Sequence, residues 1–230
     1  MTDAASTPGF RAGLAQALPI VLGYFPIAFS FGVAATRAGL TGWEATFLSL
    51  VIYAGASQFL ALALLTGGAP VLVAAFTLIA MNVRHVLYGP ALMKQAGAGA
   101  RRRQAWAWAW GLTDEVFGQA LGALARGQRF SEAWMFGLGL GAYASWVGGT
   151  AVGAWAGGGA LEGYPALNAG LGFMLTALFL ALMLSILTRA ALPAMAVAAL
   201  ATVAGTLIWG GTAGILAGML AGALAGVVRR

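Results

Sequence analysis

The sequence predicts an all-α polytopic membrane bundle, with about seven transmembrane helices and a possible re-entrant half-helix pair at 104–125. Three observations lead there. Hydrophobic residues fill 61% of the 230 positions and charged residues only 8%, whereas soluble domains carry about 25% charged residues. The apolar residues fall in runs long enough to cross a bilayer as helices and much longer than a barrel strand needs. Basic residues gather between the runs, so the net charge of +6 reads as the Lys/Arg bias of cytoplasmic loops and not as a nucleic-acid footprint. Cysteine is absent and histidine occurs once. That removes a disulfide framework, a thiol nucleophile and a thiolate metal site, and argues against zinc. No cofactor is expected.

Residues 1–13 are polar, include Asp3 and Arg11, and lack the pattern of a secretory signal. Residues 14–228 are expected to form a single transmembrane transport domain. The first run, about 14–36, contains Gly23-Tyr24-Phe25-Pro26. Pro26 cannot donate to the Leu22 carbonyl, so the helix is expected to kink or break there. Broken helices offer free backbone groups that transporters use for substrates and ions. The second run, about 46–66, follows Arg37 and Glu44 and holds Tyr53-Ala54-Gly55-Ala56-Ser57-Gln58-Phe59. Its small residues permit close helix approach, and Ser57 and Gln58 are suited equally to bonding between helices and to substrate contact.

After the turn Thr66-Gly67-Gly68-Ala69-Pro70, the third run (69–91) closes on Asn82-Val83-Arg84-His85-Val86-Leu87-Tyr88-Gly89-Pro90. At about 100° per residue, Arg84, His85 and Tyr88 share one arc, with Asn82 roughly 60° further round. A charge at membrane depth costs from a few to more than ten kcal/mol unless paired or wetted. This polar face therefore asks for partners or a substrate, unless Arg84 and His85 snorkel to the headgroups.

Lys94 and Arg101-Arg102-Arg103 mark a cytoplasmic loop. Behind it, 104–125 is interrupted by Gly111-Leu112-Thr113-Asp114-Glu115. Asp114 would sit about 15 Å along a straight helix from Gln104, near the bilayer centre. Gly111 is suited to ending one half-helix, and Thr113 or Asp114 to capping the next. The fifth run (132–156) places Gly137, Gly141, Ser145, Gly149, Gly153 and Gly157 at intervals of four. Runs at 167–188 and 190–208 follow, and the last carries Gly210, Gly214, Gly218, Gly222 and Gly226 at the same interval. Such ridges bring backbones together, within this chain or against another. Tyr143, Trp146 and Thr150, on and beside the first ridge, suit either a cavity wall or the core. If eight runs crossed, loop Lys and Arg residues would divide six against five. If 104–125 dips and returns, only Arg11 remains outside, against ten inside, as the positive-inside rule prefers.

Several segments resemble the AzlC family, the large subunit of branched-chain amino acid exporters. They are Arg11-Ala12-Gly13-Leu14, Leu22 to Pro26, Ala38-Gly39-Leu40 with Trp43-Glu44-Ala45, Tyr53 to Phe59, Asn82 to Gly89, Leu112 to Phe117, and Tyr143 to Gly153. In the remaining third the resemblance is weaker: Gly172 stands before Phe173 where the family tends to place an acid. The resemblance implies a multi-pass protein of the bacterial inner membrane that exports valine or a similar small neutral amino acid. It also implies a small AzlD-type membrane subunit as partner, with the glycine ridges as candidate docking faces. The absence of a Gly-x-x-x-x-Gly-Lys-Ser/Thr run points to the proton gradient or membrane potential as energy source.

A zwitterion needs a cation or helix N-terminus for its carboxylate and an acid or carbonyls for its ammonium. Arg84 is the candidate for the carboxylate, with Asn82 and Tyr88 assisting and Ser57 and Gln58 nearby. Asp114 or Glu115 would take the ammonium or pair with Arg84 in the empty site. Phe25, Phe59 and Trp146 are candidates for an aliphatic pocket, and His85 with Asp114 or Glu115 for proton coupling. An intramembrane enzyme using Ser57 and His85 is the alternative from another class, but no nucleophile elbow is present. A non-transporting scaffold is a further one; it leaves Arg84, Asp114 and Glu115 without a role other than pairing.

Overall fold

A computed structural model describes residues 7–97, 99–100, 103–157, 159, 163–167, 169–171, 173, 177, 180, 184 and 187–228, and every regular element among them is helical. The chain runs through α1 (Phe10–Gln16), α2 (Leu18–Arg37), α3 (Gly42–Ile52), α4 (Gly55–Thr66) and α5 (Val71–Asn82). A 3-10 stretch, Val83–Leu87, joins α5 to α6 (Tyr88–Ala96). Then come α7 (Ala105–Trp108), a 3-10 turn (Ala109–Gly111), α8 (Asp114–Ala125), α9 (Glu132–Gly157), α10 (Leu192–Trp209) and α11 (Gly211–Val228). The expected run at 167–188 and the position of Gly172 fall largely or wholly outside the described residues.

Leu18–Arg37, Val71–Ala96 and Leu192–Trp209 are each long and apolar enough to cross a bilayer. Several small residues face inward while several large ones face outward: Ser30 and Gly32 of α2 are buried, while Leu22 is 67% exposed. On α10, Gly205 is buried and Leu207 is 82% exposed. That arrangement suits lipid, where packing favours small residues between helices. Trp43, Trp155 and Trp209, all near helix ends, are exposed, as at a membrane interface.

The contacts fall into two compact units, the first comprising residues up to Leu62 and Leu78–Leu175. Its axis is α9, which lies along α1, α2 and α3. The ridge on α9 is used within the chain. A Cβ on Gly141 would stand 2.8 Å from that of Ala17, and one on Gly149 would stand 2.7 Å from the Phe25 carbonyl oxygen. One on Gly153 would come within 2.7–2.8 Å of the Phe29 backbone carbons. Ser145, in the same row, donates to the Val21 carbonyl at 2.9 Å. Trp134, Met135, Leu138 and Trp146 of α9 are buried with Leu92 and Val116.

The second unit comprises Ala63–Thr77 and the chain from Thr176 onward. There the last ridge packs against α10: a Cβ on Gly214 would lie 2.6 Å from the Thr206 nitrogen, and one on Gly222 would lie 2.8 Å from the Ala198 Cβ. The expectation that the ridges serve as partner docking faces therefore yields to intrachain packing along most of their length. Among the ridge glycines described, only Gly210 and Gly226, at the two ends of the last ridge, have nothing within 4 Å of a Cβ.

The breaks partly follow the sequence. Thr113 caps α8, accepting from the Val116 N–H at 3.3 Å, so 104–125 divides where the Gly-Leu-Thr-Asp-Glu stretch indicates. Pro26 lies inside α2, which runs through it unbroken. One lost donor is outweighed by the remaining ladder and the close packing on α9. The run 46–66 is instead two helices, divided at Tyr53-Ala54. Its front end is set by a capping box in which Thr41 and Glu44 bond reciprocally. The Thr41 N–H and hydroxyl hold the Glu44 carboxylate below its usual pKa, so this cap is complete above the ordinary value and fades as pH falls through the lowered one.

Gly153→Ala should destabilise the protein by about 1–3 kcal/mol through overpacking. Gly148→Ala, with no heavy atom within 4 Å of the new Cβ, should be neutral or gain up to about 1 kcal/mol from helix propensity. Thermal unfolding in detergent compares the two. For the re-entrant arrangement, single cysteines in Ala100→Cys and Arg129→Cys should label from the same side of the membrane. Labelling from opposite sides would show that 104–125 crosses.

Candidate transport site

The three interrupted segments meet around one cavity of about 360 Å³, within the range of small-molecule sites. Ile52, Tyr53 and Ala54 come from the α3/α4 break; Asn82, His85 and Val86 come from the 3-10 transition; Ala109, Trp110 and Leu112 come from the approach to α8. Irregular backbone is tolerated in membrane proteins where it is buried in protein or lines a cavity, and all three breaks line this one.

The 3-10 winding corrects the α-helical arc expected for Arg84, His85 and Tyr88. At three residues per turn, side chains three apart eclipse, which brings the His85 and Tyr88 rings edge to face at 5.1 Å. Arg84 Nη2 lies 2.7 Å from Asp114 Oδ2, and the Tyr88 hydroxyl donates to Asp114 Oδ1. Tyr88 also stacks on Phe117, with centroids 4.4 Å apart. The Arg84 and Asp114 side chains are 50% and 46% exposed, so the pair is open rather than sealed in the core. His85 Nδ1 stands 3.1 Å from the Asn82 carbonyl. A carbonyl only accepts, so Nδ1 carries the proton, and in the neutral ring Nε2 is left as an acceptor.

The acids owe their placement to the start of α8. Both occupy its first turn, where the helix dipole favours negative charge. They face different partners. Asp114 meets Arg84 and Tyr88, while Glu115 accepts from the Tyr24 hydroxyl. Tyr24 has one proton to give, so its 2.6 Å contact with Thr113 Oγ1 is completed by the threonine proton. No hydrogen bond joins His85 to Glu115 among the described residues.

Behind the cavity lies a buried polar network. Asn82 Nδ2 donates to Ser57 Oγ at 2.7 Å and to the Leu78 carbonyl at 2.9 Å. Gln58 accepts from Trp146 Nε1 at 2.7 Å and donates to Ser49 Oγ at 2.8 Å; Ser49 in turn bonds Thr150 at 2.7 Å. Ser57, Gln58, Ser49 and Thr150 are fully buried. Ser57 thus engages Asn82, and no bond from it to His85 is present among the described residues. Gly55 admits the Trp146 ring, whose Cη2 would lie 2.5 Å from a Cβ there. Phe59 packs edge-on against Phe31 at 5.2 Å. Phe25 is 42% exposed, and neither of these phenylalanines lines the cavity.

Sequence reasoning singled out neither Tyr53 nor Trp110 as site residues. Tyr53 adopts φ 40°, ψ 44°, a left-handed conformation that costs an aromatic residue about 1–3 kcal/mol. No local sequence signal marks such a residue. Tyr24, the partner of both Glu115 and Thr113, was legible as a motif member but not as their partner.

These features define a multi-pass helical membrane protein with discontinuous helices around a polar cavity. Residues 19–159 match the family described as AzlC protein, and the chain belongs to that family. It is 43% identical over 208 residues to "Inner membrane protein YgaZ" of Escherichia coli, covering 90% of this chain and 85% of that protein. An uncharacterized membrane protein of Archaeoglobus fulgidus is 38% identical, over 76% of this chain and 74% of its own. The "Branched-chain amino acid transport protein AzlC" of Bacillus subtilis is 27% identical, over 74% and 65% respectively. No solved structure matches.

Gln58→Leu should cost about 1–3 kcal/mol, because it leaves the buried Trp146 N–H without its acceptor and Ser49 without its donor. A lowered unfolding midpoint in detergent checks this.

Proposed function

We propose that the protein exports branched-chain or similar small neutral amino acids across the bacterial inner membrane, as a secondary transporter coupled to the proton gradient. The observation that carries this reading is the half-exposed Arg84–Asp114 pair beside a cavity built from three chain breaks. A fixed cation and a fixed anion that neutralise each other in the empty site can each be exchanged for the opposite pole of a zwitterion. The name of the B. subtilis relative supports branched-chain amino acids as the substrate class.

In this mechanism the substrate carboxylate displaces Asp114 from Arg84, with Asn82 and Tyr88 hydrogen-bonding to it. Glu115 compensates the ammonium. Ser57, Gln58 and Trp146 hold the wall behind Asn82, and Phe25 would join an aliphatic pocket only after a rearrangement. Asp114, released from Arg84, becomes a proton acceptor that Tyr88 already touches. His85 offers Nε2 as a second acceptor, so Asp114, His85 and Glu115 form the proton-coupling set. A small AzlD-type subunit completes the assembly through faces other than the packed parts of the glycine ridges. The chemistry of export needs no cofactor and makes the protein a carrier, not an enzyme.

Cells loaded with a valine-containing dipeptide should release valine faster when they express the chain with a candidate small subunit. Arg84→Ala should reduce that release at least tenfold with membrane insertion intact; near-normal release would overturn the carboxylate role. Glu115→Gln should retain substrate binding but lose the dependence of efflux on the pH gradient. Unchanged gradient dependence in vesicles would remove Glu115 from the coupling set.

A further inference from the structure

Helix α9 measures depth in the first unit. Residues of α1 and α2 meet it in step and run in the same direction: Gly13 faces Leu138, Ala17 faces Gly141, Val21 bonds Ser145 and Phe29 faces Gly153. Glu132 thus marks one face of the membrane and Gly157 the other. Tyr143 lies near the middle, about 17 Å along the helix from Glu132.

Against this scale the chain after α2 dips and returns. A Cβ on Gly42 would lie 3.9 Å from that of Ala154, Ser49 bonds Thr150, and Tyr53 reaches Tyr143. Beyond the break, Gln58 bonds Trp146 and Ser49. Phe59 then packs on Phe31, and Leu62 shares a buried cluster with Ala45 and Ala154. Helices α3 and α4 are therefore the arms of a hairpin that enters from the Gly157 face. Residues 104–125 enter from the opposite one. The Gln104 N–H donates to Glu132 at 2.6 Å, Gly111 approaches Gly139, and Trp110 meets Tyr143 at 4.9 Å. On the way back Gln119 donates to the Gln16 carbonyl at 3.4 Å, and Gln16 donates to Gln128 at 2.8 Å. The two tips touch where Tyr53 stacks on Trp110 at 5.8 Å.

Each hairpin follows a span: Leu18–Arg37 precedes 42–66, and Val71–Ala96 precedes 105–125. The spans run in opposite directions, the second bringing Lys94 beside Trp108, which bonds Glu132. The return arms α4 and α8 have 12 residues each. One interrupted stretch of the second span holds both tips, Asn82 bonding Ser57 on the first and Arg84 and Tyr88 bonding Asp114 on the second. Charge sets the orientation. Arg11, Lys94, Arg103, Arg126 and Arg129 lie toward the Glu132 face and Arg37 toward the other, so the Glu132 face is cytoplasmic and Arg11 belongs to it.

We propose that residues 18–125 form an inverted repeat of span and hairpin, in which 42–66 gates the cavity toward the outer face and 105–125 gates it toward the cytoplasm. Transporters place their sites between such repeats and open one side at a time. The shared 82–88 stretch couples the gates: it bonds both tips, and loss of its Asp114 contacts frees the inner one alone. This arrangement serves any solute that the cavity takes.

The chain has no cysteine of its own, so single cysteines report position directly. An impermeant maleimide should label Ala38→Cys and Ala69→Cys in intact cells, and Gly9→Cys only after permeabilisation. Labelling of Ala38→Cys and Ala69→Cys from opposite sides would show that 42–66 crosses and would overturn the repeat. Labelling of Gly9→Cys and Ala38→Cys from one side would do the same. The reverse pattern, with Gly9→Cys alone reached in intact cells, would overturn the assignment of gates to faces. For the gates themselves, Ala54→Cys on the outer tip borders the cavity. In inside-out vesicles its labelling rate should rise about tenfold when Asp114→Ala is added, because a charged hydrogen bond no longer holds the inner tip shut. In intact cells the rate should stay as it was. An equal rise from both faces, a rise from the outer face alone or no change at either would overturn the gating role of 105–125.

Discussion

The close approach of α9 to α1 and α2 is the constraint on which the rest of the first unit depends. Between apolar helices in lipid there is no hydrophobic drive to associate, so contact must come from packing and from hydrogen bonds. Small residues at every fourth position of α9 remove the side chains that would hold the backbones apart, and Ser145 adds a bond to the Val21 carbonyl. With α9 held in this way, Trp146 and Thr150 stand in fixed positions on its flank. Gln58 and Ser49 bond to them, tying α4 and α3 to the same helix on either side of the break at Tyr53.

That break is one of three, and the three serve different needs at the same cavity. The start of α8 supplies a capped N-terminus that favours two adjacent carboxylates. The 3-10 stretch turns Arg84 and Tyr88 toward Asp114 and aligns His85 with Tyr88. The α3/α4 break places Tyr53 against Trp110 and Tyr143. Opposite charges sit half-exposed and paired there, where they add little to stability.

Much of this was legible in the chain, but not evenly. The division of 104–125 followed from local chemistry, because a glycine followed by Thr-Asp-Glu both ends and caps a helix whatever lies around it. The ridges were legible as close-approach surfaces, though which helix each would meet was not. Pro26 shows the opposite case. A proline removes one donor, but packing along α9 keeps α2 continuous. Tyr53 was unreadable as a break, since its left-handed conformation goes against its intrinsic preference and is imposed by its ring contacts. The shared arc of Arg84, His85 and Tyr88 assumed α-helical winding, and the 3-10 turn altered their angles while still delivering Arg84 and Tyr88 to one carboxylate.

By itself the sequence determined the all-helical membrane class, the family resemblance, and which few ionisable side chains would need partners inside an apolar bundle. Those properties follow from composition, run length and local capping chemistry, all short-range. Only the tertiary structure decided that Arg84 meets Asp114, that Glu115 meets Tyr24, that Gln58 bridges α9 to α3, and that Tyr53 stacks on Trp110 beside a cavity. These pairings join residues up to about a hundred positions apart, and helix packing, not local preference, brings them together.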